Sequence, residues 1–241
     1  MVESFDIDTF FVLDFDRCLG NYDANVKLKM KVVDELSIIG GRAFRLAHDE
    51  IKANGISFRI LDYLRENDPS VDIDVFQHTF IKYAQSNPGS LLEPGANEFM
   101  NFLRSTNYGF CFMSFGDKAW QTTKIIAAGF EDVAKIIVSN EYKGRNIAEW
   151  FSVRGGYFVI PGGCFLDGVS RKAREIILLD DKVKAFNGLP DRARGYLLQD
   201  ISRIYLSPQG KIPSSVKRVT RLDEIIKHES RLIQKTYQTQ N

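Results

Sequence analysis

Apolar positions along the chain fall into two patterns that occupy different stretches. Residues 10–13 (with Phe15 just beyond), 108–114, 135–138, 176–179 and 195–199 form short, nearly continuous apolar runs. Such runs fit strands buried on both faces, as in a parallel sheet covered by helices. Between residues 21 and 87 the spacing changes to three and four: Val26, Met30, Val33 and Leu36, then Phe44, Ala47 and Ile51, then Phe76, Phe80, Ile81 and Ala84. This period predicts three or four helices, broken at Gly40-Gly41, Gly55 and Asn67-Asp68-Pro69. After residues 87–95 the pattern predicts a helix from near Pro94 carrying Phe99, Phe102 and Leu103, and another over 118–128 that stops at Gly129. Residues 147–151 suggest a further helix, 157–163 an extended piece ending in a turn, and 167–175 a short lead into the strand at 176. Leu222, Ile225 and Ile226 mark a last helix that runs out into a polar tail, KTYQTQN.

The polar residues that end the apolar runs are more specific than the runs themselves. Asp14 and Asp16 close the first, Ser114 the second, and Asp180 and Asp181 the fourth. A strand buried on both faces has no place for acids in its middle, so these side chains belong at strand carboxyl ends, where open α/β sheets place ligands. An Asp-x-Asp pair alone fits a turn or helix cap equally well. Four carboxylates on one edge repel each other unless a cation lies among them, and hard oxygen ligands suit Mg²⁺ with a substrate phosphate. Ser114, at a strand-to-helix turn, has the hydroxyl and neighbouring N–H groups that a phosphate needs.

Composition narrows the classes further. Lys+Arg 32 against Asp+Glu 31 leaves a net charge of +1, so no global field points to nucleic acid. Three cysteines, Cys18, Cys111 and Cys164, form no CxxC pair and suggest a reducing compartment. No window approaches the ~18 apolar residues of a membrane span, and MVESFDIDTF lacks a basic region followed by an apolar stretch. A cytoplasmic location is expected.

The order DFDRCL, an apolar strand ending in Ser, a lysine, and an apolar strand ending in Asp-Asp resembles the four motifs of the haloacid dehalogenase-like (HAD) superfamily, over residues 10–186. The resemblance implies a three-layer Rossmann-like parallel sheet, with residues 1–21 and 91–241 as the α/β core and 22–90 as an inserted C1-type helical cap. It implies a Mg²⁺-dependent phosphatase acting on a small phosphorylated metabolite, with Asp14 as nucleophile, Asp16 as general acid/base and Ser114 as phosphate ligand. Asp180 and Asp181 would hold Mg²⁺ with Asp14 and the Asp16 backbone carbonyl. For the charge-balancing lysine, Lys172, eight positions before Asp180, is preferred over Lys143, and Lys182 reads as a surface residue. A phosphotransferase or mutase of the same fold, or a non-catalytic module binding a phospholigand or protein, are the competing expectations. Cys18 stands where the family has Thr or Val, and Arg17 where Gly is frequent. His48, His78 and His228 have no metal-ligand spacing. Arg42, Arg45 and Lys52 read as a solvated cap face, with contact to an anionic leaving group as the alternative.

Overall fold

The computed structural model describes residues 6–54, 58–106, 108–199 and 212–240. Gly55, an expected helix break, lies outside them. Strand β1 (Ile7–Leu13) is central, pairing in parallel with β2 (Gly109–Phe115) on one side and β6 (Arg171–Asp180) on the other. Strand β3 (Lys135–Val138) adds beyond β2, and β7 (Arg194–Leu198) and β8 (Val216–Val219) add beyond β6, all in parallel. The first half of β6 also carries an antiparallel hairpin, β5 (Tyr157–Ile160) and β4 (Phe151–Ser152).

The continuous apolar runs arise because both sheet faces are covered. On one face Phe11 and Leu13 pack with Phe99 and Leu103 of α5 (Ala96–Ser105) and with Leu222 and Ile225 of α8 (Leu222–Gln240). On the other, Phe10 and Val12 pack with Ile147 of α7 (Lys143–Glu149) and with Phe158 and Phe186. Alternate residues of one strand thus serve two cores. The result is a three-layer α/β architecture.

Four helices stand between β1 and α5: α1 (Tyr22–Leu36), α2 (Gly41–Ala53), α3 (Ile60–Asn67) and α4 (Ile73–Gln85). Their apolar stripes make a third core of Val32, Val33, Phe44, Leu64, Phe76 and Phe80, which continues onto Trp120 of α6 (Lys118–Ala127). Asn21 and Asp72 cap α1 and α4 by accepting from first-turn N–H groups. The outgoing and returning chains lie side by side, with Asn21 N–H donating to Leu91 O at 2.8 Å and Glu93 N–H to Leu19 O at 2.8 Å. Gly20 sits at this crossing, where a Cβ would come within 2.5 Å of the Phe15 ring.

Three differences from the sequence expectation bear on the site. The helix expected over 147–151 lies at Lys143–Glu149, and Phe151 opens β4 instead. Residues 171–175 are not a lead-in but the first half of a ten-residue β6. Strand β8 was not anticipated, and α8 continues through the polar tail to Gln240. Among the described residues, no helix is long and apolar enough to cross a membrane.

Candidate active site

Parallel register brings the polar strand ends together. Leu13 pairs with Leu179 on one side and Phe112 on the other, so the next residues, Asp14, Asp180 and Met113-Ser114, emerge on one edge. Asp14 N–H continues the ladder to Leu179 O at 2.9 Å. One ligand oxygen from each of Asp14, Asp180 and Asp181 lies within 4.8 Å of the others.

Lys143 enters this cluster from α7. It is only 3% exposed, and its ammonium donates to Asp14 Oδ1 at 2.5 Å and to Asp180 Oδ2 at 2.7 Å. The residue after it is glycine because a Cβ there would meet Asn187 O and Leu189 N, each at 2.8 Å. The first turn of α7 can therefore lie against the chain that follows β6, which directs Lys143 inward.

Lys172 is elsewhere, and the expectation that it joins the site is corrected. It is the second residue of β6, paired with Val159 of β5, with its ammonium 4.6 Å from the centroid of the Tyr157 ring. Eight residues of strand at about 3.3 Å each separate it from Asp180 by roughly 26 Å. Lys182 and Lys184 both pair with Glu141.

Crowded charge explains the protonation behaviour. Burial raises the Asp14 pKa, Lys143 opposes this and Asp180 adds to it, for a result of about 6. Burial and then the Asp180 and Asp14 carboxylates push Asp181 up to about 8. Burial disfavours the Lys143 ammonium, but Asp14 and Asp180 together outweigh it and raise its pKa. Asp181 Oδ1 is buried without a hydrogen-bond partner, an expensive state for a carboxylate oxygen. Three converging carboxylates with one orphaned oxygen fit a hard divalent cation better than they fit each other.

Asp16 is set apart from this trio. Its carboxylate takes both contacts from the Lys124 ammonium, at 2.6 and 2.5 Å. Burial raises its pKa, but Lys124, supported by Lys29 and Lys182, outweighs that and leaves it lowered. Lys124 and Gln121 were missed by the sequence reading. Both lie on the α6 face that follows Ser114, and the buried Ser114 hydroxyl donates to Gln121 Oε1 at 3.0 Å while Gln121 Nε2 donates to Phe115 O at 2.9 Å. Cys18 is fully buried, and burial followed by Asp14, Asp181 and Asp180 raises its thiol pKa, which leaves it unreactive. Arg17 is exposed, in the left-handed region at φ 65°, with its guanidinium 4.6 Å from the Tyr22 ring centroid.

No protein-family model and no curated protein matches the sequence. Solved structures do match. A haloacid dehalogenase-like hydrolase of Burkholderia xenovorans LB400 is 17% identical, with 94% of this chain and 99% of that one covered at a TM-score of 0.62. The HAD hydrolase YfnB of Bacillus subtilis, bound to magnesium, is 12% identical over 91% of this chain and 96% of that one, at 0.50. CbbY of Rhodobacter sphaeroides, in complex with phosphate, is 13% identical over 91% and 96%, at 0.50. The chain has the haloacid dehalogenase-like fold.

Proposed function

We propose that the chain is a phosphomonoester hydrolase that uses Mg²⁺ and an aspartyl-phosphate intermediate, with residues 22–90 acting as a cap over the site. The observation that carries this reading is the Lys143 ammonium bridging Asp14 and Asp180 beside the orphaned oxygen of Asp181. That arrangement supports a nucleophilic carboxylate held in place next to a cation site.

Asp14 supplies the attacking oxygen, forming an Asp14–phosphorus bond as the bond to the leaving oxygen breaks. Asp16 rests as a carboxylate on the Lys124 ammonium, so it first takes up a proton as that contact opens and then gives it to the leaving oxygen. As a carboxylate it then takes a proton from the water that cleaves the acyl phosphate and returns Asp14. The Ser114 hydroxyl turns from Gln121 to a phosphoryl oxygen, and Lys143 offsets charge on Asp14. Asp14, Asp180 and Asp181 would hold Mg²⁺, with the Asp16 carbonyl as a further proposed ligand. The ion supplies neutralisation of phosphoryl charge.

Turnover of p-nitrophenyl phosphate should require Mg²⁺, stop in EDTA and return when Mg²⁺ is added in excess. Failure to turn over any phosphoester with Mg²⁺ present would remove the hydrolase reading and leave a phospholigand-binding module. Transfer of the phosphoryl group to an added alcohol or sugar, in place of phosphate release, would identify the transferase.

Metal should also be visible in stability. Asp14 and Asp181 have folded pKa values of about 6 and about 8, above the ordinary 3.8. The folded protein therefore holds these protons more tightly than the unfolded chain, so metal-free stability falls as pH rises from about 4 towards 8. Mg²⁺ should reverse this. At a hundredfold excess over Kd it adds about 2.7 kcal/mol, or roughly 5–10 °C in Tm for a chain of this size. Thermal melts at pH 5 and pH 8 check it, and a Mg²⁺ increment no larger at pH 8 than at pH 5 contradicts the assigned site.

A further inference from the structure

Asp16 faces a second cluster of charges that the proposed chemistry does not use. Tyr22, Asn25 and Lys29 lie three and four residues apart on α1, so they share one helix face. Lys29 is 6% exposed, and among the described residues its ammonium makes no ion pair or hydrogen bond. It lies instead between two rings, 5.9 Å from the Tyr22 centroid and 5.8 Å from that of Trp120. Two more cations approach the same Tyr22 ring, Arg17 at 4.6 Å and Lys52 at 5.7 Å.

The nearby carboxylates are already engaged. Asp16 is bonded to Lys124, and Asp49 to Arg45. Three positive groups thus converge on one ring without a matched anion, and one of them is almost fully removed from water. An ammonium on a nearly buried side chain with no carboxylate partner is costly, and cation–ring contacts return only part of that cost. Burial, with Lys124, Lys52 and Arg45 adding to it against the opposing pull of Asp16, brings the Lys29 pKa down to about 7. Asn25 Oδ1, on the same helix face, is also buried without a partner. It can accept from a hydroxyl.

We propose that this cluster, centred on Lys29 and Tyr22 and flanked by Arg17 and Lys52, binds a second anionic group on the substrate. The substrate is then a phosphate ester whose leaving group carries a carboxylate or another phosphate, together with a hydroxyl for Asn25. The arrangement follows from charge: Asp14, Asp180 and Asp181 would hold a metal ion for the phosphoryl end of such a molecule, and the uncompensated cations face the other end. The proposal rests on the phosphoryl-transfer reading of the Asp14 site, and it predicts a binding preference that can be measured without turnover.

Three probes separate the possibilities: glycerol 3-phosphate, 3-phosphoglycerate, which replaces its terminal CH₂OH by a carboxylate, and glycerol 1,3-bisphosphate, which keeps the 2-hydroxyl and carries a second phosphate. Affinities are measured by calorimetry with Mg²⁺ on the otherwise unaltered Asp14→Asn chain, so that turnover does not intervene. At least one doubly anionic probe should bind tenfold or more tightly than glycerol 3-phosphate, and which one does identifies the anion. Adding Lys29→Met, a substitution of similar volume, should bring that ratio towards one. Lys52→Met, at a more exposed position, should lower it about two- to threefold, and serves if Lys29→Met does not fold. Equal binding of all three probes, or a ratio unchanged by the substitution, overturns the proposal. Absence of p-nitrophenyl phosphate turnover with the preference intact would instead remove the hydrolase reading and leave the anion subsite standing.

Discussion

Lys143→Met is expected to lower kcat/KM for p-nitrophenyl phosphate by about two to three orders of magnitude, whereas Lys172→Met should leave it within about twofold. The Lys143 ammonium is the shared partner of Asp14 and Asp180. Removing it leaves two adjacent buried carboxylates, and breaking a buried ion pair from one side typically costs about 3–5 kcal/mol. A loss of 10²–10³ in rate corresponds to about 2.7–4 kcal/mol at the transition state. Because an unbalanced carboxylate cluster binds a cation more tightly, Mg²⁺ should raise the Tm of Lys143→Met more than that of wild type. Among the described residues, Lys172 offers an ammonium beside the Tyr157 ring and a backbone N–H, given to Asp6, that substitution does not touch. Its loss is worth about 0.5–1 kcal/mol. Parallel kinetics and melts decide the matter, and an equal loss in the two variants would show that proximity to Asp14 and Asp180 does not mark the working lysine.

The contrast between these lysines shows where sequence reasoning succeeds and where it stops. Residues 10–13 and 176–179 were legible as strands because both faces of the sheet are covered, which turns alternation into a continuous run. Asp14, Ser114, Asp180 and Asp181 were legible as a convergent edge because parallel register sends strand carboxyl ends the same way. Lys172 misled because four of the five residues from Arg171 to Glu175 are charged and looked like a separate segment, although they are the partly exposed first half of β6. A lysine eight residues upstream on the same strand must lie at the sheet's opposite edge. Lys143, the alternative, carried the better signal: it follows the β3 run by a short loop on the correct edge and precedes a glycine. Its contact with Asp180 depends on how α7 seats against residues 187–189, which no local pattern encodes. The Asp16–Lys124 pair, 108 residues apart, was similarly hidden. Lys124 is seven residues beyond the Asp117 cap, two turns along α6, so the face it shares with Gln121 follows from helix geometry once Ser114 is placed at the site. The Lys29 cluster was less accessible still, because only the packing of α1 onto Trp120 turns an apparent surface lysine into a buried one.

Asp14→Asn and Asp16→Asn should fail at different steps, and p-nitrophenyl phosphate distinguishes them because its leaving group departs without a proton. Asp14→Asn removes the attacking oxygen, so turnover should fall at least about a thousandfold with no acyl phosphate formed. Asp16→Asn leaves Asp14 in contact with Lys143 and retains the first bond exchange for this leaving group. It removes the base for the second step. The expected result is a burst of p-nitrophenol approaching one equivalent per chain, followed by slow turnover and a trapped phosphoprotein. With an alkyl phosphate even the burst should vanish, since the leaving oxygen then needs the proton that Asp16 supplies. The structure adds a condition to this test: Asp16→Asn strips the buried Lys124 ammonium of its carboxylate partner, so some loss of Tm is expected independently of chemistry. The pairing of Asp16→Asn with Lys124→Met restores charge balance and should recover much of that Tm without restoring steady-state turnover. A missing burst in a well-folded Asp16→Asn protein, or a burst in Asp14→Asn, would contradict the assignment of nucleophile and proton carrier.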